Sequence, residues 1–307
     1  MAIITVDHLR KAYGTKVAVE DVSFSVEEGE VFGIVGRNGA GKTTTVECVA
    51  GLRTPTAGTV TVDADLKEQV GVQLQECSLP DKIRVGEALA LYASFYSRPA
   101  DWRGLAEETG LDLRAPFGKL SGGQRQRLSV ALALVGSPRV AILDELTTGL
   151  DPQARHDTWD LVSRIRERGV TVLLVTHFME EVERLCDRVA VISRGRVRAV
   201  DTPAGLVARA GGEQRLIFRT DDPVDGLRAL PEVASVTVAA DRTADRTADR
   251  TAGTASAGNG VEVTVTGTGD VLSAVAAVLP PSRTRGLRME RTTLDDAFLV
   301  LTGKEES

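Results

Sequence analysis

Two periods of apolar residues divide the chain. Val22, Phe24 and Val26 alternate with polar neighbours, the mark of a strand with one buried face. "EVFGIVG", "VAILD" and "VTVLLV" are short apolar runs without alternation, as expected of strands covered on both faces. Further strands are predicted over 3–6, 59–62 and 69–73. Apolar spacing of three to four residues predicts helices over 42–50, 85–96, 124–135, 153–168 and 179–186. Gly136-Ser137-Pro138 stops the third of these helices. "RVAVISRGRVRAV" reads as a hairpin turning at Gly195. Residues 98–119 read as a polar connection. Strands and helices alternate, which specifies an α/β chain with a mainly parallel sheet between helices.

A second region begins at Gly211-Gly212, after a short helix opening at Thr202-Pro203. Its pattern is strand 215–219, helix 224–230, strands 233–239 and 261–266, helix 271–279, strand 285–290, then a helix over 294–301. The first six follow the order of a ferredoxin-like α+β domain. The chain therefore divides into 1–210 and 211–307. "ADRTADRTADRTAGTASAGNG", within 240–260, has balanced charge and no large apolar side chain, so it is expected to be a disordered loop.

The 307 residues suffice for two cores. A net charge of −6 gives no basic field for nucleic acid. Three scattered cysteines without a C-x-x-C pair suit reduced thiols in the cytosol. No apolar run approaches the ~18 residues of a membrane span, and the N-terminus lacks the pattern of a signal peptide. Work at a membrane would need another chain to supply the span.

"GRNGAGKT", Gly36 to Thr43, fits G-x-x-x-x-G-K-[ST] between a predicted strand and a predicted helix. Such glycines let backbone N–H groups turn inward around phosphate oxygens. Lys42 would reach the β- and γ-phosphates, and the Thr43 hydroxyl would bind Mg²⁺. "VAILDE" is a buried strand ending in two acids. Asp144 suits a place at the metal's water shell and Glu145 a place at the attacking water. An acid at a strand end also serves as a turn or helix cap. His177 follows another strand that would reach the same sheet edge; a lone histidine there is more often structural. In "LSGGQRQRLSVALALVG" two glycines stand where a helix begins, each costing about 1 kcal/mol against alanine if helical. Bare N–H groups at such an end suit an anion.

The order Gly36–Thr43, Gln75, Leu120–Gln124, Asp144-Glu145, Asp151 and His177 resembles the nucleotide-binding subunit of an ABC transporter, over residues 2–210. "LSGGQ" resembles the family's signature, its most specific motif. The resemblance implies a P-loop NTPase cassette: a mainly parallel core sheet, an antiparallel β part and a small helical subdomain. It implies that ATP and Mg²⁺ are bound, and that ATP is hydrolysed. Gly36, Asn38, Gly39, Ala40, Gly41, Lys42, Thr43 and Thr44 would cradle the phosphates, and Tyr13 would stack on adenine. Gln75 would touch metal and water, with Thr43 and Asp144 at the metal. Glu145 would be the catalytic base and His177 the switch histidine, acting with Lys42 and Gln75. Ser121, Gly122, Gly123, Gln124 and the acid Asp151 would act in trans, on the nucleotide held by a second cassette.

"TTLDDAFLVLTG", Thr292 to Gly303, is similar to the closing motif of drug-resistance-type exporter subunits, as are "VGVQLQ" and "THFMEEVERLCDRVAVISRGRV". The other reading of Thr292 to Gly303 is an ordinary amphipathic helix, with Leu294, Ala297, Phe298 and Leu301 on one face. Three departures stand out: Leu146 replaces the family's usual proline, and 63–69 and 98–119 are short. The implied partners are an integral membrane permease and a second ATP-binding subunit, a homodimer, with no nucleic acid. The implied place is cytoplasmic, against the inner face of the cell membrane. The rival is a soluble ABC ATPase of DNA repair or translation. The stretch from Thr43 to Ser121 is too short for a coiled-coil insertion and has no heptads, and there is one cassette, not two. A regulatory module that only binds ATP is opposed by the intact Glu145 and His177.

Overall fold

Every residue of β3 (Val31–Val35), β6 (Val140–Asp144) and β7 (Thr171–Thr176) is buried, because helices cover both faces of the sheet they form. The computed structural model describes residues 1–73, 78–210, 214–239, 261–267 and 270–303. Gln75, the Gly211-Gly212 boundary and the 240–260 loop lie outside the described residues. The chain forms two compact units, Met1–Leu206 with Phe298–Ser307, and Val207–Ala297.

In the first unit the remaining elements are β1 (Ala2–Tyr13), β2 (Lys16–Glu27), α1 (Lys42–Val49), β4 (Ala57–Val62), β5 (Val70–Gln73), α2 (Val85–Ala93), α3 (Trp102–Glu108), α4 (Gly122–Leu134), α5 (Pro152–Glu167), α6 (Met179–Leu185), β8 (Arg188–Ser193) and β9 (Arg196–Asp201), and the chain passes to the second unit within α7 (Pro203–Arg209). Nine strands form one sheet in the order β4-β1-β2-β9-β8-β3-β7-β6-β5. The run from β8 to β5 is parallel, while β4-β1-β2 and the β8-β9 hairpin are antiparallel. This is the mixed sheet that the sequence implies. β1 is three times the predicted length. Register shifts at Val6/Leu9, Leu9/Lys11 and Lys11/Ala12 break its two-residue alternation, so the pattern showed only the first stretch.

Three differences concern helices. The helix predicted over 85–96 ends at Ala93. The stretch 98–119 is not a plain connection: α3 lies within it, capped by Asp101 accepting from the Arg103 N–H at 3.1 Å, and a 3₁₀ turn covers Phe117–Lys119. Seven helical residues are too few to declare a period. Leu111 and Phe117 from this stretch pack with Val85, Leu89, Leu128 and Leu132 in a separate small core. α4 begins at Gly122, two residues before the predicted start, so both signature glycines are helical.

The second unit holds β10 (Gln214–Thr220), β11 (Val233–Val238), β12 (Val261–Gly267), α8 (Val271–Val278) and β13 (Arg285–Arg291). Its four strands are ordered β11-β12-β10-β13, every neighbouring pair antiparallel, the ferredoxin-like arrangement. The helix predicted over 224–230 is a 3₁₀ turn, Asp225–Ala229, whose Leu227 still enters the core with Leu216, Phe218, Val263 and Val275. A last helix, α9 (Leu294–Thr302), is capped by Thr293, whose hydroxyl accepts from the Asp296 N–H while the Thr293 N–H donates to Asp296 Oδ2.

Candidate nucleotide site

β7 lies between β3 and β6 and bonds to both, with Val35 opposite Thr176 and Asp144 opposite Val175. The chain leaves all three tips at one sheet edge. β3 runs into the glycine-rich loop, β6 delivers Asp144 and Glu145, and β7 delivers His177. The loop closes onto α1 at Gly41, whose φ of 104° is open to glycine, and where a Cβ would stand 2.7 Å from the Ala18 carbonyl oxygen. At Gly36 a Cβ would collide with the Ile192 carbonyl oxygen.

Lys42 is buried at 6% exposure. Its Nζ donates to the carbonyl oxygens of Gly36 at 2.8 Å and Arg37 at 3.3 Å, so the ammonium is held under the loop. Burial lowers its pKa, and the carboxylates of Glu145 and Asp144 pull it back up. Asp144 is 1% exposed, and neither carboxylate oxygen has a hydrogen-bond partner among the described residues. Its pKa is pushed up to about 6, mainly by burial and then by Glu145, against the pull of Lys42. A buried carboxylate left without donors is costly unless a cation or its waters complete it. Its main-chain N–H is held instead by the buried Gln73, whose Oε1 accepts at 3.0 Å. Glu145 takes a left-handed φ of 49°, a strained conformation for a side-chain-bearing residue that concentrates at functional sites. Its Oε1 lies 3.5 Å from His177 Nδ1.

A cavity of about 650 Å³ opens here, lined by Asn38, Gly39, Gly41, Lys42, Thr43, Thr44, Glu145 and His177. Its other walls are Lys16, Val17, Ala18 and Thr148, which the sequence did not single out. Lys16 to Ala18 carry no motif; the β1-β2 turn brings them there. Gly36, Ala40 and Asp144 do not line the cavity. Nor does Tyr13, which ends β1 half exposed, with Lys11 Nζ 5.2 Å and the Arg53 guanidinium 5.9 Å from its ring centre.

The signature residues also stand apart from that cavity. Ser121 caps α4: its hydroxyl accepts from the Gln124 N–H at 3.2 Å, and Gln124 Oε1 accepts from the Ser121 N–H at 2.9 Å. The S-x-x-Q spacing of this reciprocal cap is legible in the sequence. The cap leaves the N–H groups of Gly122 and Gly123, in the first helical turn, without intrahelical acceptors. Gly123 has a packing reason to lack a side chain, because a Cβ would lie 3.1 Å from that of Ala154. Gly122 has none, since among the described residues a Cβ there meets only Leu150, at 3.9 Å. Asp151 caps α5 by accepting from the Ala154 N–H at 2.9 Å. Leu146, at the family's proline position, is buried.

A family model described as ABC transporter matches residues 19–148. The Nod factor export ATP-binding protein I of Ralstonia nicotianae is 41% identical over 225 residues, 68% of this chain and 70% of that protein. The linearmycin resistance ATP-binding protein LnrL of Bacillus subtilis is 34% identical over 259 residues, 77% and 82% of the two chains. Among solved structures, cbiO1 from Clostridium perfringens, part of the ABC transporter complex cbiONQ, aligns with a TM-score of 0.62 at 29% identity, over 67% of this chain and 91% of that one. The dimeric structure of MJ0796, a bacterial ABC transporter cassette, aligns with a TM-score of 0.59 at 25% identity, over 65% and 98%. On the strength of these likenesses and of the strand-tip geometry, the chain belongs to the ABC transporter ATP-binding family and is an ATPase of that family.

Proposed function

We propose that two copies of this exporter-type subunit close on two ATP molecules and thereby drive a membrane permease that expels a drug-like or other small molecule. One observation carries the reading: Lys42, which opens α1, and Glu145 and His177, from two strand tips, meet the glycine-rich loop at a single cavity. The relatives' names, Nod factor export and linearmycin resistance, support the direction of transport. Among the described residues no helix is long and apolar enough to cross a membrane, so the span is assigned to the permease. The chain is placed in the cytoplasm against that permease. A soluble repair or translation ATPase is not favoured.

In this reading the N–H groups of Gly36 to Thr44 surround the phosphates and Lys42 neutralises their charge. Tyr13 stacks on the adenine, and Gln75 touches metal and water. The partnerless oxygens of Asp144, with the Thr43 hydroxyl, fit a divalent cation and its waters. Magnesium bound there would offset charge on the phosphate oxygens. Glu145 accepts a hydrogen bond from the attacking water and takes its proton, and His177, beside it, donates toward the γ-phosphate. The open end of α4, with Ser121, Gly122, Gly123 and Gln124, meets the γ-phosphate held by the other copy, and Asp151 approaches the same junction. Loss of the γ-phosphate removes the anion that joins the two copies.

The test is purification of the Glu145→Gln full chain with ATP, alone and from membranes. A dimer in ATP that separates without it, and a co-purifying multispanning protein, support the reading. A protein that stays monomeric in both preparations, or that brings ribosomes or DNA, sinks it.

A further inference from the structure

Glu181 is buried to 1% exposure on α6, four residues after His177. Its Oε1 accepts from the hydroxyl of Thr147 and from the indole N–H of Trp159, the latter at 3.4 Å. Its Oε2 is buried with no hydrogen-bond partner among the described residues. Thr147 and Trp159 are each 1% exposed. Thr147 lies in the turn between Glu145 and Asp151, and Trp159 lies on α5, which Asp151 caps. One carboxylate thus joins three segments: the turn after β6, the helix that turn feeds, and the helix that follows His177.

As a stability device this is a poor choice. A buried carboxylate with neutral donors and one empty oxygen loses to a well-packed apolar side chain of similar volume. What a polar link offers is direction, because it fixes the position of one loop against another. Weaker links at the rim repeat the connection. Arg155 of α5 reaches Glu180 at 3.3 Å and lies 5.0 Å from the ring centre of Phe178, the residue after His177. Arg184 of α6 reaches Asp160 at 3.4 Å and lies 5.5 Å from the Trp159 ring centre.

We infer that Glu181 is a positioning residue for hydrolysis, pinning the Glu145–Asp151 turn and the His177 segment into one body. A shift of His177 toward a phosphate therefore carries the turn bearing Asp151 with it. This rests on the roles given above to Glu145, Asp151 and His177. Lys42 and the glycine-rich loop have no part in the link, so nucleotide capture is independent of it.

The experiment measures steady-state hydrolysis and thermal unfolding of the full chain bearing Thr147→Val, Glu181→Leu, both together, or Glu181→Gln, with Glu145→Gln as reference. Thr147→Val and Glu181→Leu should each lower kcat by about tenfold, within the range of coupling inside one network, and leave KM for ATP nearly unchanged. The double variant should be no slower than the slower single one. Glu181→Gln keeps an acceptor for both donors and should restore most of kcat. A Thr147→Val protein with wild-type kcat overturns the inference, as do losses in the two single variants that multiply in the double one. A lowered melting temperature with unchanged kcat also overturns it, by showing a packing role alone. Should Glu181→Leu not fold, Thr147→Val decides alone, since it keeps the shape and removes only the donor. If Glu145→Gln hydrolyses ATP normally, the underlying assignment fails, whatever the Thr147 and Glu181 variants show.

Discussion

Gly122→Ala separates what one chain requires from what a second copy requires. Gly122 is the first residue of α4 and exposed, its φ is not in the left-handed region, and the added methyl would meet only Leu150 at 3.9 Å, an ordinary contact. Alanine also gains up to about 1 kcal/mol over glycine in a helix, partly by restricting the unfolded chain. The isolated protein should thus melt at the wild-type temperature or about 1–3 °C above it. In the proposed closed pair the same methyl would stand where the anion approaches the bare N–H groups. Loss of one hydrogen bond to a charged group costs about 1.5–3 kcal/mol, so hydrolysis should fall roughly 10- to 150-fold. Gly123→Ala is the contrast: its Cβ at 3.1 Å from that of Ala154 should cost about 1 kcal/mol or more of stability by overpacking. Differential scanning calorimetry without nucleotide and a phosphate-release assay with saturating ATP give both numbers. A Gly122→Ala protein with full activity would refute the idea that this helix end faces a phosphate. One that melts several degrees lower would refute the reading of its free space.

Glu145→Gln keeps the side-chain shape and removes the base, so turnover should fall about 10²–10⁴-fold while ATP binding, measured by equilibrium dialysis, persists. Asp144→Asn tests the raised carboxylate. With a folded pKa of about 6 against 3.8 unfolded, the native state keeps its proton longer, and stability drops as pH rises from about 4 to about 6. The asparagine variant without nucleotide should therefore be more stable than wild type by about 3 kcal/mol at pH 8, a gain that shrinks to well under about 1 kcal/mol near pH 4, as read by urea unfolding. Equal gains at both pH values would rule out titration of this group. Tyr13→Ala should weaken ATP binding by about 1–3 kcal/mol, the worth of one base–aromatic stack, with Tyr13→Trp close to wild type in fluorescence titration.

The central strands were legible because burial on both faces writes continuous apolar runs, as in "VAILD" and "VTVLLV". The glycine-rich loop was legible because its backbone conformations need glycine at fixed spacing, as Gly41 does. The second half of β1 was hidden by bulges, and α3 by its seven-residue length. Gln73 and Glu181 were invisible for a different reason. Each is a polar residue inside an apolar pattern, and its meaning depends on partners 71 and 34 residues away in sequence. Lys16 to Ala18 reach the cavity through the β1-β2 turn, which no local motif announces.

The ladder of β3, β7 and β6 has a consequence for control. Main-chain hydrogen bonds between buried strands hold the loop, the acids and the histidine in mutual register before any nucleotide arrives. On the proposed reading, a solitary copy is then armed yet idle, lacking what a second copy brings. Throughput would then be set by encounter, through copy number and the supply of its docking mate, with no separate inhibitor required to keep it from wasting fuel.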